Sequence, residues 1–140
     1  MASSTFYQEI RAIQAPFPYR ITTDDRQLFS TNFIVRILAP TTHFEEEIEE
    51  ILKAGPGTPP ISSSEIVYLG FKGSLPDGAG PFNVVIPTGG YEPEETHDSK
   101  RENRGLQILT CAEDYESCRD RAEKVYQYLD GLRNIVVSLT

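Results

Sequence analysis

Up to about residue 40 the apolar positions alternate, as they do along strands. "FYQEIRAIQA" (6–15) combines β-favouring residues with partial alternation, and "PFPYR" follows, where two prolines withhold ladder donors. This predicts a strand that stops in a turn. "ITTDDRQLFSTNFIVRIL" (21–38) carries a turn signal at Asp24 and Asp25, then sets Phe33, Val35 and Ile37 on one face against Asn32 and Arg36 on the other, the pattern of a long second strand. At "TTHFEEEIEEILKAG" (41–55) the period changes: Phe44, Ile48, Ile51 and Leu52 fall at helical spacing, Thr42 and Glu45 suit a capping box, and Gly55 suits the C-terminal end. The glutamates of this helix are read as its solvated face.

"GPGTPP" breaks the chain, and "SEIVYLGFKG" (64–73) and "FNVVIP" (82–87) follow as two strands. The turn residues of "SLPDGAGP" between them predict a hairpin. "LQILTC" (106–111) reads as a further strand. Asp114 then caps a second helix whose apolar stripe is Tyr115, Cys118, Ala122, Val125, Tyr126 and Leu129, closed by Gly131, and "LRNIVVSL" ends the chain as a short strand. The expected fold is α+β: a single domain with a largely antiparallel or mixed sheet and two amphipathic helices packed on one face. The other face is left to water or a partner. Residues 1–40 form a β-hairpin segment of this domain and residues 41–140 a helix–strands–helix segment.

One stretch has no hydrophobic pattern. "TGGYEPEETHDSKRENRG" (88–105) holds eighteen residues between two predicted strands, and loops longer than about 12 to 15 residues in compact domains are usually functional or disordered. It is read as an assembly loop that is mobile in the free subunit and orders against a neighbour. The candidate contact residues are Tyr91, Glu92, Glu94, Glu95, Asp98, Lys100, Arg101 and Arg104.

Composition narrows the chemistry. With 140 residues the chain fits one domain large enough to bury a core. Thirteen Lys and Arg against twenty-one Asp and Glu give a net charge of −8, which disfavours tight nucleic-acid binding for lack of cations to neutralise phosphates. Cys111 and Cys118 are too few for a disulfide framework and have no zinc-ligand spacing, so they read as reduced thiols. Neither "GPGTPPIS" nor "GFKGS" has phosphate-loop spacing. The "EEEIEE" run lacks the pattern of a calcium loop, and neither His43 nor His97 has a Cys or Ser nucleophile beside it in sequence. No catalytic, cofactor or metal constellation is expected. The N-terminus lacks the pattern of a signal peptide and no apolar run nears about 18 residues, so a soluble protein without a membrane span is expected.

The run "PFNVVIPTGGYEPEETHDSKRENRGLQILTCAEDYESCRDRAEKVYQYLDGL" resembles the tail-terminator and minor-capsid proteins of long-tailed bacteriophages. The shared features are a strand, a "GG" loop at Gly89 and Gly90, a strand over Leu106 to Cys111, the pair Asp114 and Tyr115, and a helix ending at Leu129 to Gly131. The acidic first helix and "PPISSSEIVYLGFKGSLP" fit the same pattern. "IRAIQAP" and "FSTNFIVRI" resemble the family's C-terminal strands but come first here, so a circularly permuted order is expected, with the two chain ends near one another and "NIVVSL" continuing into "FYQEI".

The resemblance implies a structural virion protein: a homo-oligomeric ring, a hexamer, that caps the tail tube, stops its growth and joins it to the head-side connector. Its partners would be the tail tube protein and the connector or neck protein. Genomic DNA would pass through without specific binding, and assembly would take place in the host cytoplasm. The alternatives are a neck or head-closure protein of the same assembly, a small cytosolic enzyme using His43 or His97, and a host adaptor domain.

Overall fold

Among the described residues of the computed structural model, seven strands and two helices follow in the order β1 (Ser3–Ile21), β2 (Gln27–Ile37), α1 (Phe44–Ala54), β3 (Ile66–Leu69), β4 (Phe82–Pro87), β5 (Tyr91–Glu95), β6 (Lys100–Ala112), α2 (Tyr115–Leu129) and β7 (Leu132–Leu139). The structure describes residues 3–21, 27–38, 42–54, 59–62, 66–70, 81–89, 91–95 and 100–139. The expected turn at Asp24 and Asp25, together with Gly55, Gly90, His97 and Asp98, lies outside them.

All seven strands belong to one mixed sheet in the order β3-β4-β6-β2-β1-β7, with β5 added to β6 beyond the end of β4. The long strand β6 therefore has two partners along one edge: β4 beside Leu106–Cys111 and β5 beside Lys100–Asn103. The long strand β1 is likewise shared. Along one edge it pairs with β2 from Tyr7 to Ile21, whereas β7 covers its other edge only from Ser3 to Ile10.

Both helices lie on one face of the sheet, as the amphipathic patterns require. α2 packs on β1, β2 and β6, while α1 reaches β3 and β4 on one side and β7 on the other, and so crosses the sheet. Their stripes meet the strands in one core that contains Ile48, Ile51 and Leu52 from α1, Val125 and Leu129 from α2, and Tyr7, Ile10, Phe33, Val35 and Ile108 from the sheet. Tyr128 ties the helices together, its hydroxyl donating to the Ile51 carbonyl at 2.9 Å. Burial pushes this phenol above its ordinary pKa.

α2 follows its sequence pattern closely. The Asp114 carboxylate accepts from the Ser117 amide at 3.0 Å, and Cys118, Ala122, Val125 and Leu129 are buried. Tyr115 and Tyr126 leave the stripe: Tyr126 is half-buried, and Tyr115 is exposed with its ring edge-on to Phe29 at 5.3 Å. At the far end Gly131 adopts φ +90°, a conformation that favours glycine, and its amide donates to the Ile10 carbonyl at 2.8 Å, turning the chain into β7.

Four expectations change. β3 and β4 run parallel, with Ile66 beside Phe82, and do not form a hairpin. Their connection, residues 70–81, has the dozen or so residues that a parallel crossover needs. β1 does not stop at Pro16 and Pro18, because β7 no longer covers that part of the strand and an edge tolerates missing donors. Within the polar segment 88–105 the described residues are mostly strand, with β5 antiparallel to the start of β6. Finally, the second face of the sheet is not left wholly bare: Leu28, Phe82, Val84, Leu109 and Cys111 form a buried cluster there, with Tyr68 set edge-on to Phe82 at 5.3 Å.

Ser3 lies beside Leu139 in the β1–β7 ladder, so the described ends of the chain are neighbours. They are antiparallel neighbours. A connection between them would make a turn rather than one continuous strand.

Candidate assembly surfaces

An open sheet exposes backbone donors and acceptors along its edges, and this one has several such edges. Among the described residues β3 and β7 end the strand order, β5 has a partner on one side only, and β1 loses its second partner after Ile10. Unpaired edges are where another chain can add.

The segment expected to contact neighbours lies at one of these edges. Tyr91, Glu92, Glu94 and Glu95 are all in β5, paired to β6 through Tyr91–Asn103, Glu94–Arg101 and Glu95–Lys100, with an irregularity between Tyr91 and Glu94. Lys100, Arg101 and Arg104 are in β6, and Asp98 lies outside the described residues. Arg104 is engaged within the subunit. Its guanidinium meets the Glu102 carboxylate at 3.3 Å and stands 5.4 Å from the centre of the Phe44 ring, so it joins β6 to the start of α1. The structure thus gathers most of the expected residues on one two-stranded element while assigning Arg104 an internal contact.

Exposed apolar side chains mark other parts of the surface. Ile13 (49%), Tyr19 (50%), Ile66 (54%), Tyr115 (47%) and Val136 (62%) are the large ones. The two on β1 have a common origin. Between Ala12 and Gln14 the strand spends two steps against one on β2, and between Pro18 and Arg20 it does so again, so Ile13 and Tyr19 are the extra residues of two β-bulges. A bulge re-aims a side chain out of the regular alternation. Sequence alternation alone could not find these positions, because the bulges shift the phase.

Near the top of β1 lies a buried polar cluster. Glu47 of α1 has no exposed surface, and its carboxylate accepts from the Thr5 hydroxyl at 2.5 Å and the Tyr7 hydroxyl at 2.9 Å. Burial first, and then the charge of Glu47, push the Tyr7 phenol far above its ordinary range, so it stays a donor. The expectation of an all-solvated glutamate face fails at this residue. A sequence signal was present: Glu47 stands three residues after Phe44 and four before Ile51, within the apolar stripe.

Cys118 is buried, with its thiol 3.1 Å from the Thr110 carbonyl and 3.4 Å from that of Gln27. Burial, helped by nearby Cys111, pushes it up to about 12, which suits an inert core thiol. Cys111 is buried too. His43 is exposed just before α1. Among the described residues no group of three or more His, Cys, Asp or Glu side chains is placed to hold a metal ion, and no helix is long and apolar enough to cross a membrane.

These features describe a small domain with sheet edges unpaired among the described residues, outward apolar side chains and an acidic strand at its margin. A family model described as bacteriophage tail terminator protein matches residues 50–139, from within α1 to the end of β7. The chain belongs to that family and is a structural component of a phage tail. Neither the curated proteins nor the solved structures give a match. The matched stretch leaves β1, β2 and the first half of α1 outside it.

Proposed function

We propose that copies of this protein assemble into a ring, a hexamer, that seats on the end of a completed tail tube, stops its growth and offers its other side to the head-side connector. The observation that carries this reading is a sheet whose edges on both sides are unpaired among the described residues, in a chain of the tail terminator family. A closed ring uses heterologous contacts, in which two different surfaces of the subunit meet, and unlike edges supply such surfaces.

The β5–β6 element serves as a margin that docks on a neighbour or on the tube. Tyr91, Glu92, Glu94, Glu95, Asp98, Lys100 and Arg101 supply its contacts, and ion pairs made there weaken with salt. Genomic DNA passes through the ring without specific binding, in keeping with a net charge of −8. Assembly takes place in the host cytoplasm. The order of elements is read as a circular permutation of the family's, supported by Ser3 beside Leu139 and by a family match that begins after β1 and β2.

The test compares the intact chain with one in which residues 91–99 are replaced by a short Gly-Ser linker. Residues 102 and 103 stay because they pair with β2. Mass in solution and negative-stain imaging should show rings for the intact chain, and co-sedimentation should show binding to tail tubes. The replaced chain should fold but lose ring formation or tube binding. A replaced chain that assembles and binds normally removes the role given to β5.

A further inference from the structure

We infer that β5 of one copy docks along the bulged half of β1 in a second copy. This rests on the ring reading above and names the surface that receives the acidic margin. Residues 11–21 of β1, "RAIQAPFPYRI", contain two arginines and no acid. β5, "YEPEE", contains three glutamates and no base. In a chain of net charge −8 a basic edge free of acids is a scarce feature, and it singles out this half of β1 as the complement of an acidic strand.

Both segments are sheet edges. Among the described residues β5 has only β6 beside it, and from Arg11 onward β1 has only β2. The β1 edge presents its side chains outward: Ile13 and Tyr19 are exposed bulge residues, with the Phe17 ring 6.5 Å from that of Tyr19. Arg11 is exposed, and none of the described ion pairs uses it. Pro16 and Pro18 on β1 and Pro93 on β5 withhold backbone donors, so side chains hold this contact rather than a continued ladder. Tyr19 and Tyr91 give each edge a tyrosine, a residue type enriched at interfaces.

One chain cannot make this contact with itself. β6 and β2 lie between β5 and β1, and the two free edges face outward on opposite sides of that group of strands. The contact is therefore between copies, and because it joins two different surfaces it can repeat around a closed ring.

The experiment uses the full chain carrying Arg11→Lys and Arg20→Lys, which keep both charges and add amines that a carbodiimide couples to carboxylates in direct contact. Isotope-labelled and unlabelled chains are mixed, cross-linked and digested. The expected products are amide-linked peptides that join position 11 or 20 to Glu92, Glu94 or Glu95, with one labelled and one unlabelled partner. In parallel, Arg11→Glu with Arg20→Glu should weaken self-association about tenfold or more at low salt. Glu92→Lys should weaken it less. An equal mixture of these two variants should associate more tightly than either alone, because each reversed edge then meets a partner that repels it less. Rings that form without the linked peptides and tolerate the two arginine reversals overturn this contact while leaving the ring reading in place. An intact chain that stays monomeric at every concentration overturns both. With tail tubes added, peptides that join position 11 or 20 to the tube protein, and none between copies, assign the basic edge to the tube and overturn the contact between copies.

Discussion

The two halves of β1 belong to one strand but solve different problems. From Ser3 to Ile10 the strand lies between β2 and β7, buries Tyr7 and Ile10, and is fastened to α1 through Glu47. From Arg11 onward it has a partner on one side only among the described residues, carries two prolines, and turns Ile13 and Tyr19 outward at bulges. The first half makes the fold and the second presents a surface. The difference follows β7 ending its pairing at Ile10, together with the two prolines beyond it.

Truncating Ile10 and Ile13 separately probes this contrast most directly. Ile10→Ala should cost about 2–5 kcal/mol, the range for a buried aliphatic, while Ile13→Ala should stay within about 0.5 kcal/mol. Denaturant midpoints measured side by side decide it; equal losses would erase the distinction. Tyr7→Phe keeps the ring and removes the donor to Glu47, and should cost about 1–3 kcal/mol because a buried carboxylate oxygen loses its partner. Tyr19→Phe, on the same strand, should leave the midpoint where it was.

A smaller effect, about 1 kcal/mol, is expected for Asp114→Ala, which removes the α2 cap and sits in neither half of β1. A loss confined to the midpoint, with self-association per folded subunit unchanged, would confirm that fold and surface separate elsewhere in the molecule as well. The fourth test is alkaline titration. The Cys118 thiol rises from 9.0 to about 12 on folding, so its contribution is intact below pH 9 and is lost between pH 9 and 12, as the unfolded thiol ionises and the folded one does not. The raised Tyr7 phenol acts in the same direction from its unfolded value of 10.0 upward. Thermal midpoints should fall above pH 9, and Cys118→Ala should flatten the first part of that fall.

The elements legible in the sequence are those whose residues declare both their period and their ends. For α2 this is clear: an aspartate cap, an apolar stripe and a closing glycine define it, and the buried residues match except at the two tyrosines, whose polar tips suit the helix margin. Parallel pairing of β3 with β4 was hidden because turn-forming residues occur in crossovers as well as in hairpins. The strand character of β5 was hidden for a different reason. It pairs with the polar start of β6 at the margin of the sheet, where nothing imposes apolar alternation. Of the assembly surfaces, the acidic margin could be singled out from its composition. The outward turn of Ile13 and Tyr19 could not, because the bulges that produce it break the alternation of β1.

The pairing of Ser3 with Leu139 also sets an order of events in time. β1 can complete its ladder only with β7, more than a hundred residues later, so this contact requires the closure of a very long loop. During synthesis β1 can settle against β2, but the ladder that covers its first half waits until β7 has left the ribosome. The seam between α1 and β7 is therefore closed only once β7 is in place, and until then Ile51 and Leu52 of α1 lack part of their cover.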